Sequence, residues 1–263
     1  MTFETGDKVY RQNLVNWNIQ ADPTTRWETL DLTEYYNDLV TNIFKNRYLS
    51  PRSESPTLQL PVQGIGDWCS YNKTALIDDR GLRKRAGEKN LIVLDQGIPM
   101  KTPGEPGVKN ILFTSRWDNY PNQASIPLKG KSTHAYLLMA GSAHHMQSNM
   151  TNGVIRISYA DGSEETLELV HPDTWWPIEQ NYYVDGYAFR IDSPKPPRIH
   201  LISGEQQKDE PAGKKKNSTI LIDGGLATVF DLPLDPGKEL EELSLETLCN
   251  DLVMGLMSVT LVR

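Results

Sequence analysis

One stretch limits what this chain can fold into more than any other: residues 152–189, N-G-V-I-R-I-S-Y-A-D-G-S-E-E-T-L-E-L-V-H-P-D-T-W-W-P-I-E-Q-N-Y-Y-V-D-G-Y-A-F. Ile155, Ile157 and Tyr159 fall on one side of an extended chain and Arg156, Ser158 and Ala160 on the other, the two-residue period of a half-buried strand. Asp161-Gly162 tolerates the positive backbone angles of a tight turn, and the return run puts Leu167 and Leu169 inward with Thr166 and Glu168 outward. The pattern predicts a β-hairpin. It hands over directly to Trp175-Trp176-Pro177 and then to Glu179, Gln180, Asn181, Tyr182 and Tyr183, so a strand pair delivers an aromatic and polar cluster to one end of a sheet.

Much of the remaining chain repeats this layout. Short β-branched or apolar runs stand at 57–60, 75–77, 91–94, 111–113, 134–139, 153–159, 166–169, 198–202, 219–222, 227–230, 243–248 and 254–262, separated by Gly, Pro, Asn and Asp. That spacing predicts an all-β fold, an antiparallel jelly-roll β-sandwich, rather than alternating βα units. The run at 254–262 is apolar on both faces, which suits a strand buried between two layers. One short N-terminal helix is expected over 33–47, where Thr33 is a plausible cap and Tyr36, Leu39, Val40, Ile43 and Phe44 share a stripe; Pro51 ends it. Residues 1–27 read as a lead-in segment and 28–263 as the β-sandwich domain. The charged run at 204–218, with Lys214, Lys215 and Lys216, reads as a mobile, solvated hairpin tip.

At 263 residues the chain is long enough for one large β-domain. A net charge of -7 and a pI near 5.3 provide no basic field for a phosphate backbone, so nucleic acid is not an expected partner. Mean hydropathy is -0.50, and no apolar run is long enough to span a bilayer as a helix. The opening M-T-F-E-T-G-D-K-V-Y-R lacks the charged-then-apolar layout of a secretory signal, which leaves a cytoplasmic protein or a piece of a longer exported one. Cys69 and Cys249 are too far apart to form a motif and are expected to be buried small side chains.

Several segments together resemble the galactose-binding-like jelly-roll domains attached to bacterial glycoside hydrolases: G-I-P-M at 97–100, K-N-I-L-F-T at 109–114, S-I-P-L-K-G-K-S-T-H-A-Y-L-L-M-A-G at 125–141, Y-A-D-G-S at 159–163 followed by W-W, and N-D-L-V-M-G-L-M-S-V-T-L at 250–261. More narrowly, Y-L-S-P-R at 48–52, Q-G-I-G-D-W-C at 63–69 and I-D-D-R-G-L-R at 77–83 look like an uncharacterised gut-bacterial family whose members often carry a glycosidase-like helical barrel. The resemblance spans roughly residues 28 to 263. It implies a carbohydrate context, an exported parent placing the domain in the periplasm or outside the cell, and a partner that is either carbohydrate or a neighbouring catalytic domain. The segment that would carry catalysis is not in this chain, so the expectation is a fragment or a free-standing module without its own activity.

For sugar recognition, Trp68, Trp117, Trp175 and Trp176 each sit near turn-forming polar residues, and indole faces stack on the C–H faces of sugar rings while polar side chains take the hydroxyls. If the loops gather at one end of the sandwich, Trp68, Arg116, Trp117, Asn119, Trp175, Trp176 and Gln180 would line a carbohydrate-binding patch. The competing reading is that large aromatics are mostly core. Asp78, Asp79, Glu179 and Asp185 are carboxylates that a glycosidase would need to bring together in a pair, against the plainer reading that turn carboxylates cap backbone. Asp78-Asp79 would equally serve a turn or half of a structural calcium site, whereas His144-His145-Met146 lacks a third ligand at a metal spacing. No cofactor-binding motif is present.

Overall fold

The hairpin forms as its alternation dictates. Strand β7 (Thr151–Tyr159) pairs antiparallel with β8 (Glu164–Val170), with Ile155 opposite Leu167 and Ser158 opposite Glu164. Gly162 turns the chain at φ 82°, a region that costs a side-chain-bearing residue strain. This computed structural model describes residues 24–46, 76–117, 119–143, 147, 150–171, 174–180, 196–207, 222–250 and 252–263.

Among the described residues the other strands are β1 (Trp27–Thr29), β2 (Leu91–Val93), β3 (Pro99–Lys101), β4 (Leu112–Ser115), β5 (Gln123–Pro127), β6 (His134–Ala143), β9 (Arg198–His200), β10 (Leu226–Pro233), β11 (Leu240–Thr247) and β12 (Leu252–Val262). One sheet runs β1-β12-β6-β10-β9, with β4 also pairing β12; a second runs β5-β11-β7-β8, and β2 and β3 form a two-stranded ribbon. Every strand pair is antiparallel, and the whole is an all-β, jelly-roll-like sandwich.

The larger sheet is covered on both faces. Toward the second sheet, Leu137, Met139, Met254 and Leu256 meet Ile155, Ile157, Leu167 and Leu245. On its other face Tyr136, Leu138, Val229, Val253 and Met257 pack under Val40, Ile43, Leu82, Ile92 and Met100. All eleven residues of β12 are therefore buried, as its two-sided apolar pattern predicts.

The helix is not where the stripe at 33–47 placed it. The chain there is a turn at 33–35 and a single 3-10 turn at Val40–Asn42. Tyr36, Val40, Ile43 and Phe44 are buried as the stripe requires while Leu39 is only half-buried, and the backbone donors are spent elsewhere: Asn37 and Asp38 donate to Ile111 O, and the Asp38 carboxylate accepts from the Leu39 amide, Asn42 and Asn46. A side chain that captures nearby donors competes directly with the helical ladder. The one α-helix among the described residues, α1 (Arg80–Ala86), falls in a run read as a turn, because only Leu82 and Ala86 mark its buried stripe. Ile77 makes an isolated bridge to Gly224 rather than a strand. Trp27 already belongs to the main sheet through its pairing with Val262, so the sandwich begins before residue 28. Cys249 is of intermediate exposure and not in a disulfide, rather than buried. The runs at 57–60, the charged 208–218 and Cys69 lie outside the described residues. Among those described, no helix is long and apolar enough to cross a membrane.

Candidate functional site

After β8 the chain turns sharply at Thr174, whose hydroxyl accepts from the Val170 amide at 2.6 Å and donates to Glu168 O at 2.8 Å. The corner sends residues 175–180 across the end of the sandwich. Ile178 is held on both sides like a strand residue: its amide donates to Gly141 O at 2.7 Å and its carbonyl accepts from Leu226 N at 2.8 Å. Ile222 N adds a bond to Glu179 O at 2.9 Å.

Arg198, on β9 and fully buried, clamps the same strap. Its Nε donates to Thr228 Oγ1 at 3.1 Å, Nη1 to Gln180 O at 2.5 Å and Nη2 to Pro177 O at 2.7 Å. Two carbonyls and a hydroxyl are reasonable partners for a desolvated guanidinium, because they satisfy its donors in a fixed planar fork.

Inside this clamp sits Glu179. Oε1 accepts from Ser142 Oγ at 2.8 Å, and Oε2 is buried without a hydrogen-bond partner. Burial pushes the carboxyl up to about 7, against the opposing effects of its own backbone amide, the Ser142 hydroxyl and the Arg198 charge. Gln180 Oε1 is also buried without a partner. Along β9, His200 is held below the usual imidazole range, first by burial and then by Arg198.

The residues expected to form a sugar-binding patch divide between this strap and the turn joining β11 to β12. Arg116 Nη1 donates to Leu248 O at 3.1 Å, and Trp117 Nε1 donates to Asn250 O. Trp175 reaches the same turn through Asn152: its Nε1 donates to Asn152 Oδ1 at 2.8 Å, while Asn152 O accepts from Leu248 and Cys249. Arg116, Trp117 and Trp175 thus converge on one turn. Gln180 lies on the Arg198 side, Asn119 is exposed, and Trp68 is outside the described residues.

The indoles are not displayed. Trp117, Trp175 and Trp176 are only 6%, 4% and 2% exposed, so their faces pack against protein and are closed to a sugar ring in this conformation. The carboxylates are likewise committed. Asp78 accepts from the Arg80 amide at 3.1 Å and pairs with its guanidinium. Asp79 Oδ2 takes Arg83 Nε at 2.9 Å and Asn110 Nδ2 at 2.8 Å, and Arg83 continues to the Glu105 and Val108 carbonyls. Asp185 and 144–146 lie outside the described residues. Among those described, no three His, Cys, Asp or Glu side chains converge as a metal site would require.

Among the described residues, the cluster of Ser142, Glu179, Gln180, Arg198 and Thr228 holds one carboxyl, Glu179. Sequence reasoning singled out Gln180 and the tryptophans but missed Arg198, Ser142 and Thr228. Nothing local marks them: Arg198 opens an apolar strand run, and its role exists only because the strap folds back over β9. Comparison with protein-family models, with curated proteins and with solved structures returns no match.

Proposed function

We propose that this chain is a non-catalytic accessory module of a carbohydrate-active protein, a β-sandwich that braces a neighbouring catalytic domain. The carbohydrate context rests on the motif resemblance at 97–100, 109–114, 125–141 and 159–163. The bracing role rests on one observation above the others: the indoles that would serve a sugar are spent as internal struts. A small apolar patch supports it. Met150 and Leu248 are 46% and 37% exposed at the β11–β12 end, bridged by Cys249, whose thiol lies 3.6 Å from Met150 Sδ. Apolar side chains grouped at one end are what a domain contact would cover.

Calorimetric titration with mono- and oligosaccharides, alongside assays on aryl glycosides and on plant and host glycans, tests this reading. The expected result is neither binding heat nor turnover. Hydrolysis abolished by Glu179→Gln would replace the accessory role with an enzymatic one.

A second reading, direct sugar binding at the strap, draws support from the two buried acceptors without partners, Glu179 Oε2 and Gln180 Oε1, beside Trp176. Saturable binding lost in Gln180→Ala would favour it over the brace.

A further inference from the structure

We propose that Glu179 is a pH-sensitive latch: while its carboxyl is neutral, residues 174–180 stay closed over the end of the sandwich with Trp175 and Trp176 covered, and when it ionises the strap loosens and both indoles open to solvent. The inference stands whether the module braces or binds, because it concerns how the strap is held.

The geometry carries it. The strap is fixed by backbone bonds at Ile178 and by Arg198 at the Pro177 and Gln180 carbonyls, and the carboxyl between those two points is the group least well served by the arrangement. From β6 it receives one hydroxyl bond, from Ser142. From β9 it feels the Arg198 charge, and among the described residues that guanidinium's bonds go to the Gln180 and Pro177 carbonyls and to Thr228 Oγ1. From β10 the nearby polar group is Thr228, already engaged by Arg198, and Asp223 before that strand is exposed. His200, two residues along β9, is itself kept toward its neutral form. A negative charge at Oε2 would therefore sit in the interior with no donor, a state that costs free energy and is relieved when the strap lifts into water.

The direction follows from the two states. Closed, the carboxyl titrates at about 7; open, it would return to its ordinary value of 4.5. The closed strap holds the proton more tightly, so raising the pH favours opening. The opening constant would rise up to a few hundredfold from below pH 4.5 to above pH 7, with most of the closed-state penalty developed near neutrality.

Acrylamide quenching of tryptophan fluorescence between pH 5 and pH 8.5 reads this directly, with far-ultraviolet circular dichroism to show that the sheets persist. Quenching is expected to rise with pH in the native protein, to be flat in Glu179→Gln, and to lose its pH-dependent part when Trp175 and Trp176 are both replaced by phenylalanine. Ser142→Ala removes the side-chain hydrogen bond to the carboxyl and should move the midpoint to higher pH, a shift that a merely structural serine would not produce. Flat quenching in the native protein, an equal rise in Glu179→Gln, or persistence of the pH-dependent part in the double phenylalanine variant would overturn the latch. If Glu179→Gln does not fold, the Ser142→Ala midpoint decides, and an unmoved midpoint overturns it.

Discussion

Trp175 and Asn152 form the joint on which one end of the sandwich depends. The indole Nε1 donates to Asn152 Oδ1 at 2.8 Å, Asn152 Nδ2 donates to Gln147 O at 2.7 Å, and Asn152 O receives the amides of Leu248 and Cys249. One asparagine thus ties the strap to the β11–β12 turn. Asn152→Ala would leave the indole N–H unpaired in the interior and should cost about 1–3 kcal/mol. Trp175→Ala, which also empties an aromatic site, should cost about 3–5 kcal/mol. Urea denaturation measures both, and a Trp175→Ala stability within 1 kcal/mol of the parent would show that the indole is not a strut.

The Asp79–Arg83 pair gives a second expectation. Both side chains are buried, and Arg83 also donates to the carbonyls of Glu105 and Val108, pinning α1 to the loop before β4. Asp79→Ala would strand the guanidinium without a counter-charge and should lower stability by about 3–5 kcal/mol. Thermal melts of the variant should show a large loss, and a small one would mean that the carbonyls alone satisfy Arg83.

Global stability should fall as pH rises through Glu179's range. A carboxyl that titrates at about 7 folded and at 4.5 unfolded binds more protons in the native state between those values. Its contribution is fully present below pH 4.5 and is lost as pH climbs past 7, a change of about 3 kcal/mol for this group. Glu179→Gln should flatten that part of the stability profile measured by denaturation at a series of pH values.

Backbone packing supplies a fourth. Gly81 in α1 lies so close to the turn after β9 that an added Cβ would come within 2.3 Å of Ile202 O. The neighbour is backbone and cannot rotate away. Gly81→Ala should force α1 from its seat at a cost of about 3 kcal/mol, visible as a lowered melting temperature. A neutral result would require the 201–204 turn to yield.

Elements with strict periodicity were the most legible in the sequence. The β7–β8 hairpin was readable because its apolar positions alternate along the strands, and β12 because its nearly continuous apolar run marks a strand buried on both faces. Strands β1, β3 and β5 escaped because each is short with one or two apolar residues, and their pairing is decided by partners far away in the chain, such as Val262 for Trp27 and Ile126 against Leu243. The stripe at 33–47 correctly marked buried residues but not their backbone, since Asp38 and Ile111 divert the hydrogen bonds. At the candidate site the tryptophans drew notice as residues, yet whether an indole faces water or protein is a property of the strap's path, which no local pattern encodes. Arg198 and Ser142 come together only across β6, the strap and β9.

The position of β12 also governs how the chain reaches this structure. It is the last described strand in chain order, yet it lies between β6 and the strands β1 and β4, pairing Trp27 with Val262 and Met139 with Leu256. During synthesis β1, β4 and β6 must wait for their shared partner, so the nascent sheet has an open seam lined by apolar residues until almost every other strand has been made. Closing that seam joins segments more than two hundred residues apart. Loop closure on that scale makes folding slow and exposes the waiting strands to aggregation. Refolding yield should therefore be far more sensitive to protein concentration than native stability is, with substitutions in β12 that slow its docking acting first on yield and only second on the melting temperature.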